Sequence, residues 1–428
     1  MDSHSGEPLG INLPTTGTVL FVHTNYPAQF RFLVKDYVAR GWIVAFASHT
    51  CKNTPLAKVR HIPLKRGKTK IPESKLEKNE AASLQAFSEL LKAKRDGLYP
   101  DLIYCHSGWG LGQFLKDLFP RAKLIAYSEW WFNFNGEDFS FDPGNPQVAH
   151  DLSSRLRMML RNQGFALELL RADAIVAPTQ WQRQQLVGPF RKRCQVIFDG
   201  IDPSMFAPGR PSRLPSTALA HLADNTPLLT YATRGLEPYR GFPEFAAAAL
   251  QLLKEKADWH VAIAGKDTPA YYNATRGMRY GEAAMRAFED AGVASRVHML
   301  GRLPLTTYRD LLLRSDLHCY FTRPYVLSWS VLEAALCGCQ LLSSDVAPVR
   351  EFLANDQGTT LVDHTSRVLA DQLIACTNSI NQATLTAEGR LQAARERLLD
   401  RNVLMHTVSR SVCMERHSKL AQSVLANS

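Results

Sequence analysis

Two periodicities alternate along this 428-residue chain. Short apolar runs rich in Val, Ile, Leu and aromatic residues are separated by longer stretches in which apolar residues recur every three or four positions. The short runs read as buried strands and the longer stretches as amphipathic helices. "TVLFVH", Thr18 to His23, is the first strand. "AQFRFLVKDYVARG" follows as a helix stopped by Gly41, and "WIVAFAS" is the next strand. The series continues through "DLIYCHS", "KLIAYSE", "AIVAPT" and "CQVIFDG". After "FDGIDPSMFAPGRPSRLP" the composition turns to Pro, Ser and Gly, which reads as a linker. A second series then runs through "LLTYAT", "HVAIAG", "VHML", "LHCYF", "QLLSS" and "GTTLV". Alternating strand and helix builds a parallel sheet with helices on both faces. The expectation is α/β, with two doubly wound, Rossmann-like domains in series facing across a cleft. A flexible leader covers 1–17, the first domain 18–205, a linker 206–226 and the second domain 227–386. Helices without a further strand fill 387–428.

Composition narrows the class. Hydrophobic content of 45% and charged content of 21% are ordinary for a soluble globular protein. No apolar run reaches the roughly 18 residues of a membrane-spanning helix. The leader is polar and lacks a basic-then-apolar export signal, so a cytoplasmic location is expected. Eight scattered cysteines, with Cys337 and Cys339 only one residue apart, read as buried free thiols and not as a zinc site. The net charge of +10 is concentrated in "KVRHIPLKRGKTKIPESKLEK", Lys58 to Lys78. That run reads as a solvated loop, or as a patch for an anionic membrane at its inner face. It has no interleaved aromatics for base stacking, so a nucleic-acid partner is not expected.

Doubly wound sheets bind ligands beyond the carboxyl ends of their strands. The residues there carry the candidate chemistry. "YATRGLEPYRGF" places Arg234 and Arg240 on the loop after the first strand of the second domain, where two planar guanidiniums suit a pyrophosphate. Ser328, Trp329 and Ser330 open a helix after "LHCYF". Their backbone N–H groups and the helix dipole would attract an anion, while a serine there is also an ordinary N-cap. Glu333, one turn in among apolar neighbours, is placed to accept both hydroxyls of a ribose. His106 ends the strand "DLIYCHS" and is a candidate donor to a sugar hydroxyl or leaving phosphate. Glu129 is a candidate acid or base. Trp130 and Trp131 beside it either pack it or offer a face to a sugar ring.

Taken together, "TVLFVHTNYPAQFRFL", "FDGIDPSMF", "TRGLEPYRGF" and "PYVLSWSVLEAALCG" resemble the retaining glycosyltransferases of family 4, which have the GT-B two-domain fold. The resemblance spans about residues 18 to 365. It implies that Arg234 and Arg240 stand where the family has its basic pair on the diphosphate of a UDP- or GDP-sugar. Ser328, Trp329 and Ser330 match the diphosphate-binding helix start. Glu333 matches the second glutamate of an E-x7-E motif that holds the ribose. Gly301 and Arg302 match the segment beside the nucleobase. Asn25 to Ala28 replace a glycine-rich loop near the acceptor, His106 sits where a cleft histidine is often found, and the C-terminal helices cross back to the first domain.

The departure is Tyr325, eight residues before Glu333, where the family's first glutamate contacts the transferred sugar. Tyrosine supplies a hydrogen bond and a stacking face but no carboxylate. Neither a metal nor another cofactor is expected, because no Asp-x-Asp motif sits at a strand end. The implied activity is hexosyl transfer with retention onto a glycan, glycolipid or small-molecule hydroxyl, in glycan or polysaccharide biosynthesis. Two rivals stand beside it: a sugar-nucleotide 2-epimerase of the same architecture, and a degenerate nucleotide- or glycan-binding protein.

Overall fold

The computed structural model describes residues 16–426, apart from 53, 66–74, 134–135, 143–150, 213, 215 and 271–276. Two compact units divide the chain. The first takes Met1–Gly136, Asp151–Gly200 and Thr407–Ser428, and the second takes Glu137–His150 and Ile201–His406.

The first unit is built on seven parallel strands: β1 Thr18–Val22, β2 Ile43–Ser48, β3 Val59–Pro63, β4 Leu102–His106, β5 Lys123–Tyr127, β6 Ala174–Ala177 and β7 Cys194–Val196. Their order is β3-β2-β1-β4-β5-β6-β7. The second unit has six: β8 Leu228–Gly235, β9 His260–Lys266, β10 Val297–Gly301, β11 Leu317–Tyr320, β12 Leu341–Ser344 and β13 Thr359–Val362. Their order is β10-β9-β8-β11-β12-β13, again all parallel. The inner strands are apolar on both faces because helices cover both faces of each sheet. In β4 all five residues are buried. The covering helices show the complementary stripe: Phe242–Glu255 buries Phe242, Phe245, Ala249, Leu252 and Leu253.

Each strand order contains one reversal. The first chain segment winds outward from β1 through β2 to β3, then returns to place β4 on the other side of β1. The second does the same at β8 and β11. At such a reversal the connecting loops diverge and leave a crevice at the carboxyl ends of the two central strands. His23 follows β1 and His106 ends β4; Arg234 lies at the end of β8, and Phe321 to Arg323 follow β11.

Three sequence expectations change. The basic run from Lys58 is not a plain loop, because Val59–Pro63 forms edge strand β3, paired only with β2. Arg60, the one arginine or lysine within it, sits at an exposed position of the edge, a place where charge discourages further pairing. Residues 66–74 of the run lie outside the described residues. The segment 206–226, whose composition suggests a linker, packs into the second unit. Ser212 donates to Asp310 through both its backbone N (3.1 Å) and its hydroxyl (2.6 Å), and Leu219 is buried. The tail divides between units. Helix Ala387–Asp400 and Arg401 fasten to the second, with Arg401 paired to Asp356 at 2.7 Å and donating to the Ala335 carbonyl. Helix Arg410–Ala426 lies on the first, where Cys413 and His417 are buried and Arg410 sits over the Phe32 ring. None of the described helices is long and apolar enough to cross a membrane. All eight cysteines are free thiols.

Gly241 joins the turn carrying Arg240 to the helix Phe242–Glu255 with φ of +62°. A Cβ there would stand 2.6 Å from Phe321 Cβ and 2.8 Å from His364 Cδ2. Conformation and space both demand glycine. Gly241→Ala is expected to destabilise the second unit by about 2–4 kcal/mol, read as a shift in urea midpoint.

Candidate functional site

In the second unit, β8 carries a bulge between Ala232 and Gly235, and Arg234 sits on it. Bulges re-aim side chains at sheet ends. Arg234 is exposed, and no described residue pairs with it. It therefore lies in the strand's last residues and not in the loop beyond. Arg240 differs sharply. It ends the turn Pro238–Arg240 and is only 3% exposed. Its guanidinium donates to the Thr322 hydroxyl (2.6 Å) and the Tyr320 hydroxyl (3.2 Å), while its own carbonyl accepts from the Tyr231 hydroxyl at 2.5 Å. The two arginines are not a matched pair of surface forks: one is presented to solvent, and the other is a fixed charge under the loop.

Tyr320 carries the network onward. Its hydroxyl also accepts from the backbone N–H of Ser328 at 3.1 Å. Ser328 caps the helix Trp329–Leu336, accepting from the Ser330 N–H at 3.3 Å. Two of the three amides proposed for an anion thus have partners inside the protein, and an anion would have to displace them. Glu333 is only 5% exposed despite being a charged residue in a helix. The Tyr308 hydroxyl lies between the Ser330 carbonyl, at 3.3 Å, and the Glu333 carboxylate. Burial and then that carboxylate push the Tyr308 phenol well above its ordinary range, so it stays a proton donor. Arg240, Ser328, Ser330 and Glu333 are therefore joined through Tyr320 and Tyr308. Tyr325 stands beside this group with its ring edge-on to Tyr239 at 5.3 Å. Arg323, buried across the Phe141 and Tyr239 rings, donates to the Asp138 carbonyl and so holds Glu137–Asp142 in the second unit. Gly301 and Arg302 are not brought to the group. Both are exposed at the end of edge strand β10, two strands from β8, about 10 Å across the sheet.

In the first unit the reversal gathers His23, Gln29, His106, Trp109 and Glu129. His106 is 1% exposed and stacks on Trp109 at 4.0 Å between centroids. Its Nε2 lies 3.6 Å from Glu129 Oε2, and its Nδ1 is 3.2 Å from the Ser107 carbonyl. Glu129 Oε1 accepts from Gln29 at 2.8 Å. Asn25 is exposed and uses its side chain to accept from Thr50 at 2.5 Å. Trp130, read as a face for a sugar, is 6% exposed and packs against Trp181; it supports the loop from beneath. Among the described residues no group of three or more His, Cys, Asp or Glu side chains is arranged to hold a metal ion.

Sequence reasoning passed over Tyr320, Tyr308, Gln29 and Glu168. Glu168 is fully buried and accepts from the backbone N–H of Gly108 (2.8 Å) and Gly112 (2.9 Å), pinning the loop that carries Trp109. Its place among the buried positions of helix Asn162–Arg171, a glutamate where a leucine would fit, was the one available signal.

Comparison with known proteins follows the same division. Residues 40–206 match the model of the Glycosyl transferase family 4 group, and residues 226–379 match Glycosyl transferases group 1. The chain is a glycosyltransferase of the family 4 kind. Its fold is that of solved GT-B structures. Sucrose-phosphate synthase from Thermosynechococcus elongatus aligns with 17% identity, a TM-score of 0.71, and coverage of 96% of this chain and 100% of that one. Anabaena HepE, in complex with UDP and glucose, aligns with 15% identity, a TM-score of 0.66, and coverage of 95% and 100%. WaaG, a glycosyltransferase involved in lipopolysaccharide biosynthesis, aligns with 15% identity, a TM-score of 0.61, and coverage of 94% and 99%. No curated protein sequence matches this glycosyltransferase significantly.

Burial pushes the Glu168 carboxyl up to about 7, outweighing the two amides that favour its ionised form. A folded-state value above the unfolded one means that its stabilisation is full below about pH 4.5 and is lost as pH rises through about 7. Urea midpoints at pH 5 and pH 8 are expected to show this glycosyltransferase losing up to about 3 kcal/mol through that group. Glu168→Gln, which cannot ionise, should lack that part of the slope and lose about 1–3 kcal/mol at pH 5, because its NH2 must face a backbone donor.

Proposed function

We propose that this glycosyltransferase moves a sugar from a nucleoside-diphosphate sugar to a hydroxyl acceptor with retention of configuration, without a metal. The observation that carries the reading is the hydrogen-bonded group in the second unit: Arg240, Tyr320, Ser328, Ser330, Tyr308 and Glu333 joined at the reversal of the strand order, with exposed Arg234 beside it on β8. Glu333 accepts the ribose hydroxyls. Arg234 forks onto the diphosphate. Arg240, buried and fixed, adds a positive charge in a low-dielectric setting where no reorganisation is needed as the leaving group gains charge. The bond from the anomeric carbon to the diphosphate oxygen breaks. The acceptor oxygen bonds to the same carbon on the same face, and its proton passes to a donor phosphate oxygen. Tyr325 takes the place of a sugar-binding carboxylate, so the transferred sugar is held by a phenol and its ring. UDP is the first nucleotide to try, since the Anabaena protein was solved with UDP and glucose. Contact of the Lys58–Lys78 run with an anionic membrane, on the cytoplasmic side, and a place in polysaccharide or glycolipid assembly belong to the same proposal.

The rival reading, a binding protein without turnover, is favoured by the edge-on seating of Tyr325 on Tyr239. Calorimetric titration with UDP, GDP and ADP separates the two. One nucleotide should bind, and Glu333→Ala should abolish binding. Arg234→Ala should cut turnover of the matching sugar nucleotide by about a hundredfold or more while leaving the urea midpoint within about 0.5 kcal/mol of wild type. Unchanged turnover in Arg234→Ala removes it from the mechanism, and nucleotide-sugar binding with neither transfer nor hydrolysis selects the binding protein.

A further inference from the structure

A cavity of about 220 Å³ opens at the amino ends of β11 and β12, the edge of the second sheet opposite the donor group. Asp316 and Gln340 line it just before those strands, and helix Ala387–Asp400 lines it with Arg390 and Arg397. Two glycines make room for Arg397 and its helix. A Cβ on Gly358 would stand 2.6 Å from Arg397 Cδ, and one on Gly338, where φ is +80°, would stand 2.4 Å from the Ala394 carbonyl oxygen. Arg397 Nε donates to the Gly338 carbonyl at 2.7 Å, which fixes the plane of the guanidinium. Its two terminal nitrogens meet no acceptor among the described residues. The other arginines here are matched: Arg314 and Arg390 to Asp316 at 3.0 and 3.3 Å, Arg390 also to exposed Asp224 at 3.8 Å, and Arg401 to Asp356 at 2.7 Å. Arg397 has no carboxylate at ion-pair distance among the described residues. Burial holds its guanidinium below the ordinary value, and the neighbouring Arg401 charge adds to that. The carbonyls at the helix ends are occupied. That of Leu312 accepts from the Cys339 thiol at 3.3 Å, and that of Ala335 accepts from Arg401 at 2.7 Å.

We propose that this cavity binds a small phosphate-bearing molecule, with the phosphate oxygens on the outward fork of Arg397. A guanidinium offers two parallel N–H groups to two oxygens of one phosphate, a match that an ammonium lacks. Gln340 and Asn381 add side-chain NH2 donors to the lining. The occupant's charge supplies the ion pair that Arg397 lacks and offsets its repulsion with Arg401. The volume lies below the roughly 300–1,000 Å³ of most small-molecule sites, which limits the occupant to phosphate itself or the monoester of a single sugar. Helix Trp329–Leu336 starts at the donor group with Ser328 and ends at this cavity with Cys337 and Gly338, about 12 Å away along its axis. The site is therefore separate from the donor group, and the inference stands without the donor reading. A bound phosphate ties helix Ala387–Asp400 to the starts of β11 and β12, so it stabilises the second unit by binding the folded state alone.

The test titrates the full-length protein calorimetrically with inorganic phosphate and with glucose 6-phosphate, against sodium chloride of matched ionic strength. Saturable binding is expected. Arg397→Lys keeps a cation and a donor for the Gly338 carbonyl but removes the fork, and should weaken binding about tenfold or more. Arg234→Ala, altered in the donor group, should bind phosphate within about twofold of wild type. Equal affinity for the two probes identifies the phosphate ion as the occupant, and an ester at least about tenfold tighter identifies a sugar phosphate. Amide hydrogen exchange supplies a readout on the wild-type protein, independent of how any variant folds. Saturating phosphate should slow exchange in Ala387–Asp400 more than in Phe242–Glu255. No binding beyond that of chloride, unchanged binding in Arg397→Lys, binding lost in Arg234→Ala, or unchanged exchange in Ala387–Asp400 would each overturn the inference.

Discussion

The buried guanidinium of Arg240 is the interaction on which the second unit's site depends. Taking a charge that cannot be neutralised out of water costs several kcal/mol unless donors and acceptors are matched. Here the match comes from two hydroxyls, Thr322 and Tyr320, on the chain leaving β11. The geometry also sets what surrounds it. Gly241 must be glycine for the turn to close over Phe321, and Tyr320 must present its hydroxyl both to Arg240 and to the Ser328 amide. A helix start, a buried arginine and a buried glutamate thus share one set of constraints, and none can move without disturbing the others.

The first unit solves a different problem. Its cluster has no buried arginine. It has two imidazoles whose ring centroids are 4.6 Å apart and a carboxylate, Glu129, that accepts from Gln29. A single peptide N–H, that of Asn25, by choosing the tautomer of His23, orients the Gln29 amide and directs a donor at the carboxylate. A hydrogen-bond chain of this kind carries information as well as energy, because each link admits only one polarity. Glu168 works on the opposite side of the same loop, spending both carboxylate oxygens on two glycine amides to hold Trp109 where it meets His106. The two units share a topology and a place for chemistry, the reversal of strand order, yet they furnish it with opposite charge.

Tyr325 illustrates how far a single side chain reaches. A glutamate in its place would present a carboxylate near Arg240; the tyrosine instead packs edge-on against Tyr239, which in turn shelters Arg323. The residue is part of an aromatic layer that also holds Glu137–Asp142 through Arg323 and the Asp138 carbonyl. A residue that the sequence presents as a departure from the family pattern is, in space, a structural element with neighbours committed to it.

The amino-acid sequence determined the strands, the parallel arrangement and the two-unit plan, because buried parallel strands require unbroken apolar runs and their covering helices require a stripe every three to four residues. It also singled out Glu333 and His106 through charge or polarity set among apolar residues. It missed β3, since an edge strand needs only one partner and tolerates the basic, alternating run Val59–Pro63. It misread 206–226, because Pro, Ser and Gly describe the backbone's freedom and not what Leu219 packs against. It treated Arg234 and Arg240 as equivalent, and the contacts that separate them come from Tyr320 and Thr322, about 80 residues further on. The same holds for Gln29 and Glu129, exactly 100 positions apart and ordinary when read singly. Local pattern is written in neighbouring residues and survives in one dimension; the polarity of a hydrogen bond and the burial of a charge belong to pairs that only the folded chain brings together.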